Sequence, residues 1–175
     1  MLEVAVLRDI TTLILDEHEA FRRDFVALWD LRPHGASNAL TLAWQDLADR
    51  LEVHASAEEA ILYPELLKRG GDQAPEETLD AVGDHNDIRD AIKEASEASA
   101  ASDEWWDAVL ECRRANDEHL AEEERDVIPD FREHSDSDLR NRLGEQWLAF
   151  KAQHPGAKGI SGDDVDPDAY VQENS

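Results

Sequence analysis

The chain has 175 residues, 41% of them hydrophobic, which fits one domain with a core of its own. It carries 42 acidic and 17 basic residues, a net charge of −25, which argues against nucleic acid and anionic membrane as partners, since both require cationic surface. A single cysteine, Cys112, leaves no intrachain disulfide and fits a reducing compartment.

The opening stretch MLEVAVLRDITTLILDEHEAF breaks its apolar positions with Glu3, Arg8, Asp9 and Asp16. It therefore reads as neither a signal peptide nor a membrane span, and the protein is expected in the cytoplasm. Helical period dominates from there on. A first helix is predicted from Val4 to Leu31, with Leu7, Ile10, Ile14, Phe21, Phe25 and Leu28 on one stripe and His18 in the middle of it. Pro33 and Gly35 break the chain. A second helix is predicted from Ser37 to Arg69, carrying Leu40, Leu47, Leu51, His54, Glu58 and Leu62 on one face, with Gly70 and Gly71 ending it. The third, Pro75 to Ala98, carries Leu79, Val82, His85, Ile88 and Ile92. The fourth, Asp103 to Glu133, carries Trp105, Val109, Cys112, His119, Glu123 and Val127. A shorter fifth helix is expected from Asp138 to Lys151. The remainder, HPGAKGISGDDVDPDAYVQENS, is rich in Gly, Pro and Asp and has no helical period, so it is expected either to drape over the bundle or to be mobile. The fold class is thus all-α: an antiparallel up-and-down four-helix bundle over 1–152, with the short fifth helix and an irregular acidic tail at 153–175.

Two segments repeat in the positions that carry chemistry. HASAEEAILYPEL begins at His54 and HLAEEERDVIPDF at His119. Each has Glu four residues after the His (Glu58, Glu123), a second Glu beside it (Glu59, Glu124), and Pro ten residues on (Pro64, Pro129). The prolines are expected to kink or end their helices. A spacing of four puts His and Glu on one helix face. His18 and His85, each followed four residues later by Arg (Arg22, Arg89), precede these segments at similar distances. The chain therefore reads as two helix hairpins, each offering one His from its first helix and His-x-x-x-Glu from its second.

Buried carboxylates near one another are costly, and a bound cation removes that cost. Metal ligands are thus assigned to His18, His54, Glu58, His85, His119 and Glu123. Six protein ligands are too many for one tetrahedral zinc and too rich in nitrogen for calcium or magnesium. They fit two ions sharing two bridging carboxylates, with positions open for an oxo or hydroxo bridge and an outside ligand. Imidazole and carboxylate with open positions suit two non-haem iron ions, ahead of zinc or manganese.

The pattern His, His-x-x-x-Glu, His, His-x-x-x-Glu, one group per helix, resembles the hemerythrin-like family of HHE cation-binding domains, of the bacterial type, over about residues 8–133. The resemblance implies a protein that binds or reacts with oxygen, hydrogen peroxide or nitric oxide, for sensing or detoxification. Ferritin-like di-iron bundles use Glu-x-x-His instead, and no Glu stands three residues before any of the four histidines. Oxygen-carrying members place two histidines four residues apart on the third helix, and here the second position is Arg89. The resemblance so implies a histidine-poorer site with an extra open position, or one taken by Asp84, Glu59, Glu122 or Tyr63. Such a site should favour oxidised iron over reversible oxygen carriage. Iron storage or sensing without turnover, and a di-iron oxygenase with a larger cavity, are the alternatives; no protein partner is identified.

Other residues take simpler expectations. Arg22 reads as surface, while Arg89 is left between surface and an orienting role. Cys112 reads as a small buried filler, and Ile14, Phe21, Leu51, Ile88 and Asn116 as core beside the ligands. Trp29, Trp44, Trp105, Trp106 and Trp147 read as packing residues, and His34, His134 and His154 as surface.

Overall fold

A computed structural model describes residues 8–175. Residues 4–7 of the predicted first helix, Leu7 among them, lie outside the described residues. Among the described residues the protein is almost wholly helical, without a strand, and no helix is long and apolar enough to cross a membrane.

Helix α1 (Ile10–Asp30) starts on Asp9, whose carboxylate accepts from the Thr11 backbone N–H at 2.9 Å and the Thr11 hydroxyl at 2.6 Å. Arg140 Nε, from α7 (Ser137–Gln153), donates to the same carboxylate at 2.6 Å. Burial pushes the Asp9 carboxyl up, but the bonds from Thr11 and Arg140 together hold it below its usual range. Asp9→Ala is therefore expected to cost about 1–2 kcal/mol at neutral pH, as lost helix caps do. A depressed folded-state pKa contributes stability that is complete above the unfolded value and is lost as pH falls through the folded one. The gap in urea midpoint between wild type and variant should thus close in strong acid; a gap that holds at every pH would rule out this carboxylate as its source.

Helix α2 (Asn38–Ala57) is capped by Ser37, which accepts from Leu40 N–H at 3.2 Å. It runs without a break through a π-helical turn (Glu58–Leu62) into α3 (Tyr63–Arg69). The second half repeats this: α4 (Ala74–Glu97) precedes α5 (Asp103–Glu122), capped by Ser102, and α5 runs through a π-helical turn (Glu123–Val127) into α6 (Ile128–Glu133). The two prolines therefore neither end nor sharply break their helices. Each sits in the first turn of the following segment, where its missing N–H is tolerated. A proline ring collides with the carbonyl four residues back in ordinary α register. Here the ladder widens just ahead of it: Tyr63 N–H bonds Glu58 O, and Ile128 N–H bonds Glu123 O, five residues back.

Helix α4 packs along α5, α7 lies against α1 and α2, and α8 (Pro167–Asn174) lies against α4 and α3. Gly144 lets α7 approach the residues that lead into α1: a Cβ there would run into the Arg8 carbonyl. The tail is thus draped, and its last part is helical where an irregular chain was expected. Asp166 accepts from Ala169 N–H at 2.9 Å and Pro167 opens the helix, a recognisable start. Only eight residues follow, too few to show a period. Asn86 clasps the tail, donating to Val165 O at 2.8 Å and accepting from Val165 N–H at 2.9 Å. The Tyr170 hydroxyl donates to the Glu59 carbonyl.

The apolar core falls into two clusters. One includes Ile14, Leu62, Tyr63, Val82, Val127 and Trp147. The other includes Phe21, Leu51, Ile88, Trp105, Cys112 and Ala115. The four histidines lie between them. Along α1 and α4 the chain passes from the first cluster through His18 or His85 to the second; along α2 and α5 it passes the other way, through His54 or His119. The four tryptophans of the second half-core and its rim stack edge to face, Trp29 on Trp106, Trp44 on Trp105, and Trp105 on Trp106. Cys112 is fully buried there, and burial pushes its thiol up, as befits inert filler.

Candidate metal centre

His18, His54, Glu58, His85, His119 and Glu123 are all buried and converge in the layer between the two cores. Two groups form. His18, His54, Glu58 and Glu123 each offer an atom, all within 4.8 Å of one another, and so do Glu58, His85 and His119. Glu58 belongs to both: its Oε1 lies 3.1 Å from His54 Nε2 and its Oε2 3.2 Å from His85 Nε2. Glu123 Oε2 lies 3.3 Å from His18 Nε2 and 3.5 Å from His119 Nε2. Each pair of histidines comes from one predicted hairpin.

His18 Nε2, His54 Nε2, Glu58 Oε1 and Glu123 Oε2 are fully buried and have no hydrogen-bond partner among the described residues. Leaving four such atoms unsatisfied costs a protein several kcal/mol, roughly 1–3 each. One cation between them satisfies all four. His85 Nε2 and His119 Nε2 face each other at 3.1 Å, an approach that needs a shared proton or a shared metal. The donor set of imidazole and carboxylate fits a transition metal.

The outward nitrogens repeat a second pattern. His18 Nδ1 pairs with Glu124 at 3.0 Å, His54 Nδ1 with Glu17 at 2.9 Å and His85 Nδ1 with Glu59 at 2.9 Å. His119 Nδ1 faces Asp84 more loosely, at 3.5 Å. A carboxylate on the outward nitrogen draws the imidazole proton there and leaves the Nε2 lone pair aimed inward. The pattern is crossed. The Glu after each buried Glu of the group (Glu59 after Glu58, Glu124 after Glu123) serves the first-helix His of the other hairpin. The acid before each first-helix His (Glu17, Asp84) serves the second-helix His of its own. The wide π-helical turn makes room for two successive carboxylates, Glu58 and Glu59 or Glu123 and Glu124, to meet neighbouring helices.

Charge on these groups follows from the network. Burial pulls His54 down, but Glu58 and Glu17 outweigh it and raise it to about 9. Glu17 is lowered to about 2, burial being outweighed by His54 and Lys151. His119 is held well above its usual value by Glu123, Asp84 and Glu58 against burial. Without a metal these histidines carry protons in its place.

Several expectations need correction. Arg22, expected at the surface, donates from Nη2 to Glu124 at 2.8 Å, although a third of its side chain is exposed. Arg89 is buried and donates from Nη2 to both oxygens of Glu59, at 2.9 and 3.0 Å. Trp147 does more than pack: its indole N–H donates to Glu17 at 3.0 Å and its ring meets His54 edge-on at 5.3 Å. His154 is half-buried against Phe150, while His34 and His134 are exposed. Of the four candidates for an additional ligand, Tyr63 lies deepest. Its hydroxyl donates to Glu123 Oε1 at 2.8 Å and sits 3.4 Å from His85 Nε2 and 3.5 Å from Glu58 Oε2. Burial and the two carboxylates hold its phenol well above the usual range. Glu59 and Asp84 face outward nitrogens instead, and Glu122 is farther out still. The roles of Glu17 and Asp84 escaped the sequence reading, although an acid stands immediately before both His18 and His85.

An all-helical bundle with histidine and glutamate grouped in its interior defines a metal-binding helical protein. The chain belongs to the hemerythrin family: the model of the hemerythrin HHE cation binding domain matches residues 9–131. Neither the curated proteins nor the solved structures gave a match.

Proposed function

We propose that the protein is a cytoplasmic hemerythrin-like protein with a non-haem di-iron centre that binds or reacts with oxygen, hydrogen peroxide or nitric oxide. The observation that carries this reading is the convergence of four unpartnered buried atoms from His18, His54, Glu58 and Glu123 beside the facing pair His85 and His119. In this reading His18 and His54 would hold one ion and His85 and His119 the other, with Glu58 and Glu123 as the carboxylates shared between them. The alternation of the two core clusters along α1, α2, α4 and α5 supports an antiparallel up-and-down arrangement of these four helices. The bound irons would supply the redox chemistry. The protein residues fix the ligands: Glu17, Glu59, Asp84 and Glu124 set the imidazole tautomers, and Tyr63 is placed to hold a proton beside Glu123 or to give its oxygen to the centre.

A cavity of about 90 Å³ reaches His119 and Glu123 from outside. That is room for a peroxide or a diatomic molecule, a few times the ~30 Å³ share of a water, and far below the several hundred Å³ of pockets for organic ligands. The size favours small oxidants over an oxygenase substrate. The test is the ultraviolet–visible spectrum of iron-quantified protein, reduced without oxygen, exposed to oxygen and then purged. The expected result is about two irons per chain and an oxidised spectrum that purging does not reverse, with consumption of added peroxide or nitric oxide. A band that disappears on purging would replace turnover with reversible binding, and a chain that retains no iron would sink the proposal.

A further inference from the structure

The cavity that touches the centre has walls of one sign. Its floor is His119 and Glu123; its walls carry Glu77, Asp80, Asp84, Glu122 and Asp126 from α4, the end of α5 and the following π-helical turn. Among the described residues Arg125 is the one Lys or Arg on its walls, and it is already engaged by Asp126 at 2.7 Å, with Glu122 at 3.9 Å. Beyond the rim the acidic lining continues into an open trough that shares Asp80, Asp84 and Glu122 and adds Asp87 and Glu118. Charged groups of one sign at this density repel one another. Burial together with Asp130 and Asp126 raises Glu77 above its usual range.

A cluster of acids on a highly acidic protein would carry little alone. At the inner end, however, His119 is fully buried, lines the cavity, and its Nδ1 has no hydrogen-bond partner among the described residues. Asp84 Oδ2, 3.5 Å away, also lacks one, as does Glu77 Oε2. The other three histidines have closed outward contacts at 2.9–3.0 Å, and only the one at the cavity is left loose. We propose that this acidic cavity and trough form the loading route by which divalent metal ions reach the buried centre, with Asp84, the carboxylate that faces His119 across a loose 3.5 Å gap, as the last outer contact before it. A cleft of one sign with low-dielectric walls focuses its field and raises the local concentration of counter-ions. The inference rests on the proposed metal centre.

The test is the rate of cobalt(II) uptake by metal-free full-length protein, followed by the visible bands of bound cobalt in stopped flow. Asp80→Asn with Glu122→Gln neutralises the rim without touching any of the six proposed ligands. At low ionic strength this variant should load about ten times more slowly than wild type, to the same final stoichiometry, within the 10–10³ range of electrostatic steering. The difference should shrink in 1 M salt, where the Debye length falls to about 3 Å. Glu94→Gln with Glu97→Gln, exposed acids near the far end of α4, is the control for net charge and should load at nearly the wild-type rate. If the rim variant loads as fast as this control, the route is wrong although the centre stands. If wild type binds no cobalt, the centre fails and the route with it.

Discussion

Glu58→Ala is expected to reduce bound iron from about two ions per chain to one or fewer, measured by metal analysis on protein whose helicity is checked by circular dichroism. Glu58 is the one carboxylate common to both groups of converging side chains, with an oxygen at 3.1 Å from His54 and another at 3.2 Å from His85. Its removal takes an oxygen from each proposed ion, and nothing nearby replaces it, because Glu59 is committed outward to His85 and Arg89. The folded chain should survive. His54 keeps its bond to Glu17, and the charge that burial opposes is relieved when the imidazole gives up its proton. Glu123→Ala should also abolish two-metal binding, but should keep more of the one remaining ion. Glu123 completes only the group of His18 and His54, and meets His119 at the longer 3.5 Å. Two irons retained in either folded variant would remove the ligand assignment. A larger loss in Glu123→Ala than in Glu58→Ala, with neither variant keeping two irons, would reverse the roles given to the two carboxylates.

The six proposed ligands were legible because local spacing fixes a helix face: four residues between His54 and Glu58, or His119 and Glu123, place both side chains on one side of a helix whatever the rest of the chain does. The duplicated segment then gave the pairing of hairpins. What orients the ligands was less legible, because those contacts cross between helices. Whether Glu124 meets His18, or Trp147 meets Glu17, depends on the relative height and rotation of α1, α5 and α7, which no period within a single helix contains. Pro64 and Pro129 were legible as breakers, but the π-helical turn ahead of each was not, since a proline in the first turn of α3 or α6 is compatible with a kink, a stop or a widened ladder. Burial decided the rest. Arg22 and Arg89 stand at equivalent sequence positions and hold equivalent acids, yet α8 and the residues before it cover only the second, through Asn86 and Tyr170.

That difference gives the second large effect. Arg89 is 3% exposed and lies between two carboxylates, donating to Glu59 at 2.9 Å and facing Glu52 at 3.6 Å. Burial, and the charge of Glu59, keep Glu52 above its usual range even with Arg89 present, whereas His85 and Arg89 hold Glu59 below it against burial. Arg89→Met keeps much of the volume and removes the charge, leaving two mostly buried acids facing each other. Breaking a buried pair in this way costs about 3–5 kcal/mol, and the slight exposure of the two acids places the expectation near the lower end. Arg22→Met removes the equivalent cation from Glu124, but there both partners are about a third exposed, so water takes over and the loss should be about 0–1 kcal/mol. Arg89→Lys should recover only part of the stability, because an ammonium cannot span Glu59 and Glu52 with a fork. The measurement is the urea midpoint of metal-free wild type and the three variants. Equal losses in Arg22→Met and Arg89→Met would show that water reaches Glu52 and Glu59 as freely as Glu124. The tail would then not be what separates the two halves of an otherwise repeated site.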